Sequence, residues 1–126
     1  VSEEALQVIA IEESEAAIKD AKINLTGLNN VEFIESKTEQ GILNLSFNPD
    51  AVILDPPRYG CHIEVLKSIL IKLPKRVVYV SCDPNTLARD LSFLVKGGYA
   101  IIDVQPIDMF PQTHHIECVV TLEPNK

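Results

Sequence analysis

The sequence predicts an α/β fold, a mostly parallel sheet covered by helices on both faces. Three observations predict it. Apolar runs of strand length alternate with stretches of helical periodicity. Glycines and prolines punctuate the joints between them. Of the 126 residues, 46% are apolar, enough to bury the core of one domain.

Residues 7–11 (QVIAI) read as a buried strand. Residues 14–25 read as an amphipathic helix, with Ala17, Ile18, Ala21 and Leu25 at helical spacing and Gly27 at its end. Residues 31–35 form a second strand, and residues 37–45 a short helix or loop. Residues 50–54 (DAVIL) are a third strand, and residues 63–72 a helix stopped by Pro74. Residues 76–81 (RVVYVS) are a fourth strand. A helix over residues 84–95 follows, with Asp83 as its N-cap and Pro84 as its first residue. Gly97 and Gly98 break it. Residues 99–104 and 116–122 are the last strands, joined by a loop holding Pro106, Pro111 and two histidines. No helix separates these two, so they are expected to pair antiparallel at one edge. With no internal repeat, low-complexity tract or linker, residues 1–126 read as one domain. A nucleotide-binding α/β domain opens with a strand and a Gly-rich turn. No GxGxxG-type run occurs here. Either the domain is of another kind, or its first unit is missing.

The formal charge of −7 argues against strong nucleic-acid binding by this piece alone, because phosphate contacts need Lys and Arg. No apolar run has the length of a membrane span, and no secretory signal opens the chain. Cys61, Cys82 and Cys118 show no CxxC spacing, so neither a zinc site nor a disulfide framework is indicated. A reduced cytoplasmic setting and a monomer are the expectations.

In open α/β sheets, ligands sit beyond the carboxyl ends of the strands. Glu12 follows the first strand, where an acid can accept hydrogen bonds from ribose hydroxyls. The plainer alternative is a solvated acid at a helix start. Residues 55–60 (DPPRYG) follow the third strand. Two prolines stiffen this loop, Gly60 permits a sharp exit, and Asp55 and Arg58 are presented at the crevice. A carboxylate and a guanidinium together suit a polar ligand, although an Asp–Arg pair in an ordinary turn would read the same way. Cys82 follows the fourth strand at the start of a helix. Thiols at helix N-termini ionise more readily, and the thiolate is the reactive form. A small buried cysteine is the alternative. In the last strand, period-2 alternation puts His115, Glu117 and Val119 on one face. A carboxyl held partly away from water is a candidate general base; an edge-strand acid facing solvent is the alternative. Adjacent histidines of an extended chain point in opposite directions, so a metal site at His114 and His115 is not expected.

DPPRYG, YVSCDPNTLARDL and MFPQTHHIECVVTL occur in this order and together carry a resemblance. From about Val8 to Leu122 the chain resembles the C-terminal catalytic region of the RNA 5-methyluridine (uracil-C5) methyltransferases, which modify tRNA and rRNA. The resemblance implies the class I S-adenosylmethionine-dependent methyltransferase fold, a Rossmann-like sheet with an extra antiparallel strand. It implies Cys82 as nucleophile, Glu117 as general base, and Glu12 and Asp55 as residues that bind S-adenosylmethionine. Arg58 and His115 become candidates for contact with the substrate, an RNA held through the full-length protein. The first strand and Gly-rich loop of that family have no counterpart here. The chain by itself is therefore expected to bind the cofactor weakly and to have little activity. Two competing readings remain. One is an amino-group methyltransferase acting on adenine or guanine nitrogens; those enzymes carry an aromatic residue where Arg58 stands. The other is a non-catalytic remnant of the fold.

Overall fold

The computed structural model describes residues 4–108 and 116–125. The chain divides into two compact units, Val1–Leu45 and Ser46–Lys126.

The first unit runs β1 (Val8–Glu12), α1 (Glu15–Asn24), β2 (Val31–Glu35) and α2 (Thr38–Asn44). β1 and β2 pair in parallel, Val8 opposite Val31 and Glu12 opposite Glu35. Ser14 caps α1 by accepting the Ala17 N–H at 3.3 Å. Glu15 in the first turn and Lys22 in the last complement the helix dipole. Ile18 is the buried residue of this helix. Gly27, with φ +96°, turns the chain toward β2. In α2, a Cβ at Gly41 would stand 2.6 Å from Ile11 Cγ2, so the helix approaches β1 more closely than a side chain allows.

The second unit runs β3 (Ala51–Leu54), α3 (Ile63–Lys72), β4 (Arg76–Ser81), α4 (Pro84–Lys96), β5 (Tyr99–Ile107) and β6 (Glu117–Pro124). Its sheet has the order β3-β4-β6-β5. β3 and β4 are parallel across the α3 crossover, while β6 runs antiparallel to both β4 and β5. The last two strands thus form the expected antiparallel pair, with β6 inside and β5 at the edge. β1 and β2 form one sheet, and β3, β4, β5 and β6 another.

The core of this unit follows the period of two. Val77 and Tyr79 of β4, with Val120 and Leu122 of β6, are fully buried. Leu66 and Ile69 of α3 and Leu94 of α4 are buried as well. The α4 residues Leu87, Asp90, Leu91 and Leu94 recur at helical spacing, which gives the helix one buried face. Leu73 ends α3 in the left-handed conformation, and Pro74 follows, unable to continue the helix. The Pro74 carbonyl accepts the buried Tyr99 hydroxyl at 2.8 Å.

Candidate active site

Strand direction decides which side chains meet. β3 and β4 are parallel, so the residues after Leu54 and after Ser81 leave the same end of the sheet. β6 is antiparallel to β4, so its first residue, Glu117, lies at that end too. Ser81 pairs with Cys118. Cys82 follows Ser81 and Glu117 precedes Cys118, so the two flank the last pair of this ladder. Asp55, Arg58, Cys82 and Glu117 therefore follow or begin strands at one end of one sheet. Cys82 and Glu117 are half-buried, while Asp55 and Arg58 are exposed.

The turn at Cys82 is fixed on both sides. The Ser81 hydroxyl donates to the Asp83 carbonyl at 3.0 Å and accepts the Asp83 N–H at 3.1 Å. Asp83 caps α4 as expected: its Oδ1 accepts the N–H groups of Asn85 at 2.9 Å and Thr86 at 3.1 Å. Pro84 stands in the first turn, where a missing N–H costs nothing. Cys82 thus stands just before the N-cap, two residues ahead of the first residue of a 13-residue helix.

The loop bearing Asp55 and Arg58 closes in a tight turn. Gly60 has φ +81°, and its N–H donates to the Pro57 carbonyl at 2.8 Å. Three residues of α4 then hold the loop backbone. The Thr86 hydroxyl donates to the Arg58 carbonyl at 2.9 Å. Arg89 Nη2 donates to the Tyr59 carbonyl at 2.9 Å. Asp90 Oδ2 accepts the Cys61 N–H at 2.8 Å and the Tyr79 hydroxyl at 2.5 Å. Arg89 Nε completes the set by donating to Asp90 Oδ1 at 2.8 Å. Burial pushes the Cys61 thiol up to about 11, with the Tyr79 hydroxyl opposing the rise and Asp90 adding to it. Burial, and then its bond to Asp90, likewise raise Tyr79. The three cysteines are free thiols.

Sequence reasoning missed Thr86, Arg89 and Asp90 as contributors to the site. A signal was present: Asp90 falls on the apolar face of α4, where an acid needs a partner.

Glu12 stands exposed at the carboxyl end of β1, as expected, in the other unit. Its Oε1 accepts the Ser14 N–H at 2.8 Å, so it also supports the start of α1. His115 lies outside the described residues. Among the described residues, no helix is long and apolar enough to cross a membrane, and no cluster of three or more His, Cys, Asp or Glu could hold a metal ion.

Comparison with known proteins extends this geometry. A Thermotoga maritima RNA methyltransferase is 48% identical over 120 residues, which cover 94% of this chain and 27% of that protein. The chain thus spans little more than a quarter of the length of the curated relatives it matches. Among solved structures, the Pyrococcus abyssi tRNA (uracil-54, C5)-methyltransferase, in complex with S-adenosyl-L-homocysteine, superposes with a TM-score of 0.83. It is 34% identical, and the match covers 96% of this chain and 30% of that one. An rRNA methylase from Streptococcus thermophilus shares the fold at a TM-score of 0.71 and 17% identity, covering 95% of this chain and 74% of that one. The fold is the class I S-adenosylmethionine-dependent methyltransferase fold. The sequence profile of tRNA (uracil-5-)-methyltransferases matches residues 35–125, which include Asp55, Cys82 and Glu117. With the strand ends, the fold and this match in agreement, the chain belongs to the tRNA (uracil-5-)-methyltransferase family.

Proposed function

We propose that this chain is the catalytic region of an enzyme that methylates C5 of a uridine in tRNA or rRNA, with Cys82 as nucleophile and Glu117 as general base. The β4–β6 register carries this reading. Ser81 opposite Cys118 leaves Cys82 and Glu117 flanking the last pair of the ladder, so one bound base can meet both.

Uracil C5 is a weak nucleophile. The Cys82 thiolate adds to C6, forming a carbon–sulfur bond and moving the C5–C6 electron pair into an enolate. S-adenosylmethionine, when bound, would supply an electrophilic methyl group on its sulfonium; the electron-rich C5 would take the methyl as the carbon–sulfur bond breaks and leaves a neutral thioether. C5 then carries a methyl group and a proton. The Glu117 carboxylate accepts that proton, the C5–C6 double bond re-forms, and Cys82 leaves as thiolate.

Glu12 and Asp55 would hold the cofactor. Each is an exposed carboxylate at the carboxyl end of a strand, which suits hydroxyl and cationic groups. Arg58, on the loop after Asp55, is a candidate contact for the RNA, as is His115 of the sequence. A uridine in structured RNA would have to be flipped out of its stack to reach Cys82. The chain's charge of −7 supports a division of labour in which basic surface elsewhere in the full-length protein binds the RNA.

Two variants of the full-length gene product test the assignment. Cys82→Ala should abolish formation of 5-methyluridine. Glu117→Gln should allow addition and methylation but leave the RNA covalently attached, because the C5 proton stays. Wild-type levels of 5-methyluridine from either variant would refute the corresponding role. We also propose that the 126 residues alone bind S-adenosylmethionine weakly; calorimetry giving micromolar affinity would refute that.

A further inference from the structure

Thr86, Arg89 and Asp90 lie three and four residues apart, on one face of α4. Their targets run along the loop: the Arg58 carbonyl, the Tyr59 carbonyl and the Cys61 N–H. The gap in that series is Gly60, where a Cβ would stand 2.6 Å from both Arg89 Nη2 and Asp90 Oδ2. The loop backbone is thus pressed against the helix along four residues. The same helix begins at Pro84, two residues after Cys82. The loop carrying Asp55 and Arg58 and the turn carrying Cys82 are consequently tied together through α4.

We propose that Arg89 is a positioning residue for methyl transfer: oriented by buried Asp90, it clamps the 55–61 loop to the helix of Cys82 and so sets Asp55 and Arg58 relative to the nucleophile. The inference rests on the roles given to those residues above. Two observations separate Arg89 from a mere structural support. Its side chain is 58% exposed, whereas that of Asp90 is 1% exposed, so truncating Arg89 opens no hole in the core. Its planar fork also bridges two targets at once, Asp90 through Nε and the Tyr59 carbonyl through Nη2, with the Cys61 carbonyl at 3.5 Å. A lysine in its place could satisfy only part of this set.

The test compares Arg89→Ala and Arg89→Lys with wild type in the full-length gene product. Active sites are counted by their covalent adduct with 5-fluorouridine RNA, and amide exchange is followed at residues 59–61. Arg89→Ala should lower kcat per active site by about tenfold to a hundredfold, the scale expected of a misplaced reacting group. Exchange at residues 59–61 should quicken, and Arg89→Lys should recover part of both losses. A kcat per active site within twofold of wild type overturns the proposal, whether or not fewer sites survive. Unchanged exchange at residues 59–61 overturns it as well. If wild-type protein forms no 5-methyluridine while Arg89→Ala still quickens exchange at residues 59–61, the clamp is upheld and the reading of the reaction fails.

Discussion

Cys61 and Cys82 follow adjacent strands of one sheet, yet their surroundings fit them for different tasks. Cys61 is pushed up to about 11 by burial, so at pH 8 only about a thousandth of it is thiolate. Cys82 stands half-buried before a capped helix N-terminus. Iodoacetamide at pH 8 should therefore label Cys82 before Cys61, and labelling of Cys61 should rise as the pH approaches 11. Peptide mass spectrometry would check this; faster labelling of Cys61 at pH 8 would contradict it. Asp90 is the other decisive residue at this scale. Its carboxylate serves the Tyr79 hydroxyl, the Cys61 N–H and Arg89 from a site that is 1% exposed. Asp90→Ala leaves the Tyr79 hydroxyl and the Cys61 N–H unpaired and should cost about 2–5 kcal/mol in urea unfolding, at about 1–3 kcal/mol for each donor. A loss below about 1 kcal/mol would mean that water replaces the carboxylate.

Among the elements, α4 joins the cap before Cys82 to the clamp on the loop. Asp83→Ala removes two hydrogen bonds from its first turn and should cost about 1 kcal/mol, read from the unfolding midpoint. Most elements were legible in the sequence, for physical reasons. The cap at Asp83, the proline at 84 and the glycine pair at 97 mark both ends of α4 by local chemistry alone. The sequence reading ends β5 at Val104 and puts Pro106 in the following loop. The strand continues to Ile107, with Pro106 opposite Cys118. β5 is an edge strand, where a residue without an N–H is tolerated. The candidate site divides in the same way. Asp55, Cys82 and Glu117 were legible because strand ends and periodicity locate them. The roles of Thr86, Arg89 and Asp90 were not, because their partners are backbone groups 28 to 30 residues earlier in sequence. The adjacency of Cys82 and Glu117 was hidden as well. It depends on β6 pairing with β4, and consecutive order would have set β5 there.

Within the Ser46–Lys126 unit, Asp90 ties β4, α4 and the 55–61 loop together through Tyr79 and the Cys61 N–H. Cys61 and Tyr79 both hold their protons more tightly folded than unfolded. The unfolded chain loses the Cys61 proton near its ordinary value of 9.0, and the folded chain near 11. This contribution to stability is fully present below pH 9 and is lost as the pH rises toward 11. Tyr79 acts in the same direction. The denaturation midpoint should fall between pH 8 and pH 11, and less so in a Cys61→Ala variant; a midpoint flat across that window would contradict this contribution.

In the proposed reaction, Cys82 attacks uracil and Glu117 takes the C5 proton. Its most direct test is the mass of the full-length gene product after incubation with S-adenosylmethionine and 5-fluorouridine RNA. Fluorine at C5 leaves no proton for Glu117 to remove, so elimination should stall. The expected result is a stable protein–RNA adduct carrying one transferred methyl group, attached at Cys82 and absent from Cys82→Ala. No adduct, or adduct attached elsewhere, together with methyl transfer surviving in Cys82→Ala, would contradict it.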